Sequence, residues 1–298
     1  MAADPSTEPG SPAANRREPQ SLRLAVIGVP HGGGRQWARR AQSWQDDGWH
    51  TLLTPDTLWT ASPFPALAGA AAATSTLRLR TWVLAAPLRS AAATARDARA
   101  LQDLSDGRFE LGIGTGRPQA EQDAAALGLA WGTAADRREA VRSAVLAVRE
   151  SVQPTPPVVI TAGGPLMTRL ATELLTGRDD RIALAITATA DAVALQQLAA
   201  AAAAARPGAP PGLTFQVSGI GDRVPDWVRQ NVGLDAASLR AAGAVGLLPR
   251  DPDEAAAELG SWPARYGIHE VVVPSDLADD FLPVLRRLRD AGQAGDGP

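Results

Sequence analysis

Two glycine-rich segments of the chain have the residue types that hold a phosphorylated ligand. Gly163, Gly164 and Pro165 stand between a predicted strand and a predicted helix. Unobstructed N–H groups at the start of a helix, together with the helix dipole, attract one small anion, and a phosphate fits that description. The same residues also suit a tight turn that needs glycine dihedral angles and a proline in the first helical turn, so a purely structural role stays open.

The second segment, residues 112–116, ends another predicted strand. Gly114, Thr115 and Gly116 let a flat ring or a polar tail approach the backbone, and Thr115 adds a hydroxyl group. Glycine at the corner of a barrel also serves structural purposes. Taken alone, the segment is a weak indication of a binding site.

Proton transfer at such a site needs a titratable side chain. His31 follows the first predicted strand and Asp56 follows the second. The ordinary pKa of histidine lies close to neutral pH, so His31 is a candidate general acid or base, although a single loop histidine is often structural. We expect His50 and His269 to be structural. Three scattered histidines without convergent carboxylates predict no metal site.

The composition excludes several mechanisms. The chain has 298 residues, no cysteine and a formal net charge of -3, and the printed sequence contains no lysine. Thiolate nucleophiles, disulfides, Schiff bases and P-loop lysines are therefore excluded. Acidic and basic residues are interspersed, so no basic stripe is available for nucleic acid or an anionic membrane. A small-molecule substrate is expected.

The sequence also sets expectations for location and domain limits. Residues 1–20 are rich in proline, serine and charge and lack the apolar core of a signal peptide. The longest apolar stretch, near residues 182–205, is interrupted by Asp191, Gln196 and Gln197. We expect a cytoplasmic protein with a disordered tail over residues 1–20, one domain over residues 21–292 and a disordered end over residues 293–298.

Short β-rich runs alternate with alanine-rich helical runs, a pattern typical of βαβ units around a parallel sheet. Eight such pairs predict a (β/α)8 TIM barrel, which a chain of this length can form as one domain. The predicted strands are Leu22–Val29, His50–Thr54, Leu77–Leu84, Arg108–Ile113, Pro157–Thr161, Arg181–Ile186, Leu213–Ser218 and Glu270–Val273. Helical stretches are predicted over Arg35–Asp47, Pro63–Ala73, Ser90–Leu104, Gln119–Glu150, Leu166–Leu175, Asp251–Tyr266 and Leu277–Arg289, with a polyalanine helix before Arg206.

An open nucleotide-binding sheet is the competing fold. Its phosphate fingerprint would lie in the first βα turn, which reads Val29-Pro-His-Gly-Gly-Gly34. This turn does not fit G-x-G-x-x-G followed by an acidic residue about twenty positions later. In a barrel, by contrast, the residues after each strand form one site at the carboxyl mouth, which would bring both glycine-rich segments together.

Three segments in fixed order are more specific than any one of them. The run Leu101-Gln-Asp-Leu-Ser-Asp-Gly-Arg-Phe-Glu-Leu-Gly-Ile-Gly-Thr-Gly116 resembles the fourth-strand hallmark of the luciferase-like monooxygenase family, the flavin- and deazaflavin-dependent barrels. Thr76-Leu-Arg-Leu-Arg-Thr-Trp-Val-Leu-Ala-Ala-Pro87 resembles its third-strand segment. Pro157-Val-Val-Ile-Thr-Ala-Gly-Gly-Pro165 is similar to the phosphate loop of the deazaflavin branch. The resemblance covers nearly all of residues 22–290.

The resemblance implies a redox cofactor at the mouth and a homodimeric oxidoreductase. Coenzyme F420 is the implied cofactor, with FMN as the alternative. The residues implied to bind it are Trp82, Val83, Gly114, Thr115, Gly116, Ala162, Gly163, Gly164, Pro165 and Leu166. Among them the 163–165 loop would meet the phosphate, and a non-prolyl cis peptide at Trp82–Val83 would buttress the ring.

The chain departs from the family pattern in three ways. Where the family often has Asp-His, this chain has Asp56-Thr57, so His31 is the nearest replacement for the missing histidine. Arg117 stands where sugar-phosphate dehydrogenase relatives have an acidic residue, and it could bind an anion in a bidentate manner or lie in solvent. The insertion after the fourth strand is shortened. Trp59 is a candidate wall of the substrate pocket, or else a lid-packing residue.

Three functions fit these observations. The first is a coenzyme F420-dependent oxidoreductase that transfers a hydride between the deazaflavin and a small organic substrate, with His31 or Asp56 assisting proton transfer. The second is an FMN-dependent luciferase-like monooxygenase. The third is a degenerate barrel that binds a cofactor without turnover, which the missing histidine and the shortened insertion suggest.

Overall fold

Eight parallel strands close into a barrel in the computed structural model, which describes residues 21–185, 188–208 and 210–294. The strands are β1 Arg23–Ile27, β2 Thr51–Thr54, β3 Arg78–Thr81, β4 Phe109–Gly114, β5 Val158–Ala162, β6 Arg181–Leu184, β7 Gly212–Gln216 and β8 Ile268–Pro274. β1 pairs with both β2 and β8, and the pairing of β3 with β4 closes the ring. The predicted TIM barrel is confirmed.

Helices cover the outside of the barrel. They are α1 Gly34–Asp47, α2 Pro63–Ala71, α3 Ala91–Leu104, α4 Ala120–Ala126, α5 Ala134–Ser151, α6 Pro165–Leu174, α7 Ala192–Ala205, α8 Ala236–Ala241, α9 Pro252–Tyr266 and α10 Ala278–Asp290. The predicted apolar face of α1 is buried, with Trp37, Ala41 and Trp44 against the barrel. Within the described ranges, no helix is both long and apolar enough to cross a membrane.

Local sequence explains where several helices begin. Ser90 caps α3 through its side chain, and Thr133 forms a capping box with Asp136 at the start of α5. Asp251 caps α9 by accepting hydrogen bonds from two backbone N–H groups, and a proline follows at the first helical position. The predicted Asp-Pro start of α9 is therefore confirmed.

Two predicted elements are interrupted. The third strand was expected to run from Leu77 to Leu84, but β3 ends at Thr81 and a short strand, Leu84–Ala85, resumes after the cis peptide bond Trp82–Val83. The helical stretch expected over residues 119–150 divides into α4 and α5. Gly128 and Gly132 both have positive φ in the connection, which a continuous helix does not allow.

The other segments agree with the expected order. The insertion after the fourth strand is short, as expected from the sequence, because only residues 152–157 lie between α5 and β5. The segment between β7 and α9 holds two short paired strands, Gly219–Ile220 and Leu247–Leu248, as well as α8. The expected end of the sixth strand, Ile186, lies outside the described residues.

The end of the described chain is tied to its beginning. The Leu22 N–H donates to the Gln293 carbonyl oxygen over 2.8 Å, and Leu22 forms a parallel bridge with Ala294. This contact lies beside the amino-terminal end of β1. The described structure thus continues two residues beyond the domain limit expected at residue 292.

Candidate active site

The carboxyl ends of the strands bring the two glycine-rich segments together. β4 ends at Gly114 and β5 ends at Ala162. The two strands are neighbours, paired in parallel with Ile113 opposite Ile160. The segments that follow them therefore leave the barrel side by side at one mouth.

The two glycines after β5 have different surroundings. A Cβ atom on Gly163 would lie 2.4 Å from the Ala185 carbonyl oxygen, so close packing against the end of β6 excludes a side chain there. A Cβ atom on Gly164 would have no heavy atom within 4 Å. Close packing alone therefore explains why residue 163 is glycine. Gly164, in contrast, borders open space at the mouth.

The start of α6 offers backbone donors beside that space. α6 begins at Pro165. The N–H groups of Leu166 and Met167 lie in its first turn, where no carbonyl group of the helix is available to accept them. The first such bond comes from the Thr168 N–H, which donates to Gly164 over 2.9 Å, and no backbone acceptor for Leu166 or Met167 is found in the described chain. The first turn carries no acidic side chain. Together with the helix dipole, these donors suit one anionic group.

The glycines of the β4 segment are packed against their neighbours. A Cβ atom on Gly112 would lie 1.9 Å from the Thr81 carbonyl oxygen, and one on Gly116, where φ is 85°, would lie 2.5 Å from the Trp131 ring. Packing alone therefore explains Gly112 and Gly116. Contact between a ligand and residues 114–116, including Thr115, stays a prediction.

Replacing Gly112 with alanine is expected to lower the free energy of unfolding by about 1–3 kcal/mol, because the added methyl group forces β3 and β4 apart. Chemical denaturation measures this change. Gly164→Ala is the matched control, since its added methyl group meets open space. Equal stability of the two variants would contradict the close approach of β3 and β4.

Trp82 lies across the mouth of the barrel. Its indole Nε1 donates to Gln216 Oε1 over 3.2 Å. Since Gln216 ends β7, which lies opposite β3 in the ring, the side chain reaches the far wall. The indole packs on the inward-facing residues Ala25, Leu53 and Val272. Trp82 therefore forms a floor across the upper part of the barrel.

Val83 follows Trp82 and faces the end of β4. The peptide bond between them is cis, as the family resemblance implied. A Cβ atom on Gly114 would lie 3.2 Å from Val83 Cγ2, so the absence of a side chain at Gly114 leaves room for Val83. The implied ring-buttressing residues and the β4 segment are therefore in contact.

Asp56 is held by two neighbours. Its Oδ2 atom accepts a hydrogen bond from the Ala85 N–H over 3.1 Å, and its Oδ1 atom lies 3.3 Å from Arg89 Nη2. Only 11% of the Asp56 side chain is exposed. Because Ala85 lies only two residues after Val83, this hydrogen bond helps to fix the position of the Trp82–Val83 segment. Its predicted catalytic role stays a prediction.

Arg117 and Trp59 form a stacked pair above the mouth. The Arg117 Cζ atom lies 4.2 Å from the centre of the Trp59 ring. The guanidinium group also donates to Asp123 Oδ2 over 2.6 Å and to the Asp56 carbonyl oxygen over 3.3 Å. Arg117 is thus anchored to α4 and to the β2 loop, while 66% of Trp59 is exposed to solvent.

His31 is exposed and lies beside α1. It lines a shallow groove with Val29, Gln36 and Trp37. In the described residues no hydrogen bond or ion pair joins His31 to Asp56, the other candidate for proton transfer. Thr57, at the position of the family histidine, donates or accepts a hydrogen bond with Thr60 over 2.8 Å.

This geometry agrees with the comparison of the sequence with known families. The model of the luciferase-like monooxygenase family matches residues 28–260, which is more than half of the chain. The chain belongs to the luciferase-like monooxygenase family. It is thereby an enzyme of the oxidoreductase class. No curated protein sequence matches it individually.

Solved structures of similar fold include both F420-dependent enzymes and a monooxygenase. The coenzyme F420-dependent tetrahydromethanopterin reductase from Methanopyrus kandleri has a TM-score of 0.65 and 15% identity, covering 89% of this chain and 97% of that chain. An F420-dependent secondary alcohol dehydrogenase has a TM-score of 0.67 and 14% identity, covering 91% and 100%. EDTA monooxygenase from Chelativorans sp. BNC1 has a TM-score of 0.71 and 16% identity, covering 93% and 95%. At these identities the similarity shows the fold alone.

In this luciferase-like barrel a buried charge network, which was not predicted from the sequence, lies below Trp82. Arg80 is fully buried, with Nη2 2.7 Å from Glu270 Oε2 and Nη1 3.4 Å from Glu110 Oε2. Glu110 also pairs with Arg78, and Glu270 accepts a hydrogen bond from the Thr214 hydroxyl over 2.8 Å. The available signal was the presence of charged side chains in three strands: Arg78 and Arg80 in β3, Glu110 in β4 and Glu270 in β8.

The network supports the floor of the site. Arg80 and Trp82 are two positions apart, and the Arg80 guanidinium carbon lies 5.5 Å from the centre of the Trp82 ring. Although Arg80 forms ion pairs, none of its guanidinium nitrogens has an aligned hydrogen-bond acceptor in the described residues. Its charge is therefore compensated mainly by the two carboxylates.

His50 lies near the same network and gives a pH-dependent prediction. Burial lowers the pKa of His50 from 6.5 to about 4, and the nearby carboxylate of Glu110 opposes this shift. The folded protein binds this proton more weakly than the unfolded chain does. Stability is thus lost as the pH falls from about 6.5 to about 4, by up to roughly 3 kcal/mol.

Urea denaturation across this pH range measures the loss. His50→Gln is expected to flatten the dependence, whereas His31→Gln, which changes an exposed histidine, is expected to retain it. A His50→Gln variant with the same pH dependence as the parent protein would show that His50 does not cause it.

Proposed function

We propose that the protein is a coenzyme F420-dependent oxidoreductase that transfers a hydride between the deazaflavin and a small organic substrate at the carboxyl mouth of the barrel. The observation that carries the proposal is the start of α6, where Gly164 borders open space and the N–H groups of Leu166 and Met167 lack backbone acceptors. The similarity of residues 157–165 to the deazaflavin phosphate loop supports F420 over FMN.

The residues present fit such a cofactor. The first turn of α6, with Ala162, Gly163, Gly164, Pro165 and Leu166 around it, would hold the phosphate. Val83 and residues 114–116 would contact the ring and its side chain, and Trp82 would support them from below. When bound, the deazaflavin supplies the hydride-accepting carbon C5. The protein would contribute orientation.

Proton transfer would fall to His31 or Asp56. His31 is the freer of the two, since it is exposed and has no hydrogen-bond or ion-pair partner in the described part of the chain. Asp56 is held by Ala85 and Arg89, which suits it to positioning the Trp82–Val83 segment. Trp59 and Arg117 would then contact the substrate above the mouth.

Titration with each cofactor tests the proposal. The full-length protein is titrated with oxidised coenzyme F420 and, separately, with FMN, and binding is followed by fluorescence and by thermal stabilisation. Tighter binding of F420 is expected. Binding of FMN alone would support the monooxygenase alternative instead, and binding of neither would support the degenerate barrel.

A labelling experiment then tests hydride transfer. Secondary alcohols deuterated at the carbinol carbon are incubated with the enzyme and F420, and the product cofactor is analysed for deuterium at C5. Incorporation supports dehydrogenation by this enzyme, whereas unlabelled reduced cofactor would contradict direct transfer. The homodimer and the cytoplasmic location remain predictions from the family and from the sequence.

A further inference from the structure

A cavity lies at the amino-terminal end of the barrel, away from the candidate active site at the mouth. It has a volume of about 630 Å³ and lies between α7, the end of α9 and the beginnings of β6, β7 and β8. Strands rise about 3.3 Å per residue, so the length of a barrel strand, on the order of 15–20 Å, separates it from the mouth. Its volume is in the range of small-molecule sites, roughly 300–1,000 Å³.

One wall of the cavity is formed by small apolar side chains. α7 presents Ala199, Ala200, Ala202 and Ala203, and Leu213 at the start of β7 adds to this surface. Short side chains on α7 leave the space that leucine or isoleucine would fill. The wall suits the apolar body of a ligand, such as an aromatic ring.

Arginines surround the remaining walls. Arg178, Arg206 and Arg265 line the cavity. Arg178 forms no ion pair in the described structure, and Arg206 uses one N–H group to donate to the Leu175 carbonyl oxygen over 2.6 Å. Arg265 pairs with Glu258 over 2.9 Å, at a position where both side chains are partly exposed.

The one lining carboxylate, Asp180, does not neutralise these arginines. Its Oδ2 atom lies 2.8 Å from Arg149 Nη2 and accepts the Gly177 N–H, while Oδ1 accepts the Val158 N–H over 2.8 Å. Only 4% of the Asp180 side chain is exposed. Its negative charge is therefore compensated by Arg149 and by two backbone N–H groups. The cavity keeps an excess of positive charge.

Buried polar groups beside the cavity also lack partners. The Arg181 side chain is 6% exposed, and its nearest carboxylate, Asp179, is 3.9 Å away. Its Nη1 atom and the hydroxyl of the buried lining residue Tyr266 have no hydrogen-bond partner in the described chain. Arg181 lies directly behind the wall, since a Cβ atom on the lining residue Gly212 would be 3.5 Å from Arg181 Cγ. Positive charge thus extends behind the cavity.

We propose that this cavity binds a small organic anion of the aromatic carboxylate class, independently of the reaction at the mouth. The alanine wall accepts the ring, and the arginines accept the carboxylate through charge-assisted hydrogen bonds. The proposal does not depend on the identity of the cofactor, because no residue of the cavity belongs to the candidate active site.

Isothermal titration of the full-length protein tests the proposal, with benzoate as the probe and benzamide as its neutral isostere. Benzoate is expected to bind saturably at one site, and benzamide at least about tenfold more weakly, because it lacks the charge. Arg178→Ala is expected to weaken benzoate binding about tenfold. Arg96→Ala, an exposed arginine on α3, is the matched control and is expected to leave binding unchanged.

Filling the cavity gives a second, independent test. Ala203→Leu and Ala199→Leu each place a larger side chain in the cavity and are expected to abolish benzoate binding while the melting temperature is retained. Absence of saturable benzoate binding, equal binding of benzamide, or unchanged binding in both leucine variants would overturn the proposal. Competition between benzoate and FMN or F420 would also overturn it, because it would place the probe at the mouth.

Discussion

Gly164→Asp is expected to weaken cofactor binding by at least about 100-fold while leaving the barrel as stable as the parent protein. Gly164 caps α6 in an extended conformation that any residue can adopt, and a side chain there meets no atom within 4 Å. Aspartate is also a favourable capping residue, so helix stability is preserved. Its carboxylate, however, would occupy the place proposed for the phosphate and repel it.

Comparing Gly164→Asp with Gly164→Ala separates the effect of the negative charge on cofactor affinity from the effect of the added side chain. Alanine adds a neutral methyl group at the same place, so its effect on affinity is expected to be much smaller. Fluorescence titration with coenzyme F420 or FMN measures affinity, and thermal denaturation measures stability. An aspartate variant that binds either cofactor as tightly as the alanine variant would refute the phosphate site at α6, whichever cofactor is the natural one.

Glu270→Gln is expected to lower the free energy of unfolding by about 3–5 kcal/mol, because it leaves the buried Arg80 without its nearest carboxylate. The remaining partner, Glu110, is 3.4 Å from Arg80 and is shared with Arg78. The substitution changes the shape of the side chain very little, so the lower free energy of unfolding would result from the removal of the negative charge. Urea denaturation provides the measurement.

Glu173→Gln is the matched control for this experiment. Glu173 pairs with Arg142 on the surface, where 49% and 39% of the two side chains are exposed. Its replacement is expected to cost less than about 1 kcal/mol. Equal losses in the two glutamine variants would mean that the network below Trp82 contributes no more than a surface ion pair.

The barrel was predictable because its signals are local. Alternating β-rich and helical runs, the Asp251-Pro252 cap and the apolar face of α1 can each be recognised within one short segment. The interruption of the third strand at Trp82–Val83 was different, since Leu77–Leu84 reads as one continuous strand by residue type. Only the resemblance to the family marked that place.

The sequence predicted that the two glycine-rich segments lie side by side, but it did not predict their individual contacts. Residues 163 and 164 are both glycine, and what distinguishes them is Ala185, which reaches Gly163 through the pairing of β5 with β6. In the same way, Arg80 and Glu270 are far apart in sequence and meet only after the ring closes. By their places after predicted strands, Asp56 was a candidate for proton transfer and Arg117 a candidate for anion binding. Their protein partners, however, depend on contacts between loops.

The bridge between Leu22 and Ala294 has a consequence for engineering. Because these two residues touch beside the start of β1, a short linker could join them and new termini could be opened in an exposed turn, such as the one at Gly128. A circularly permuted chain of this kind would keep every strand pairing of the ring.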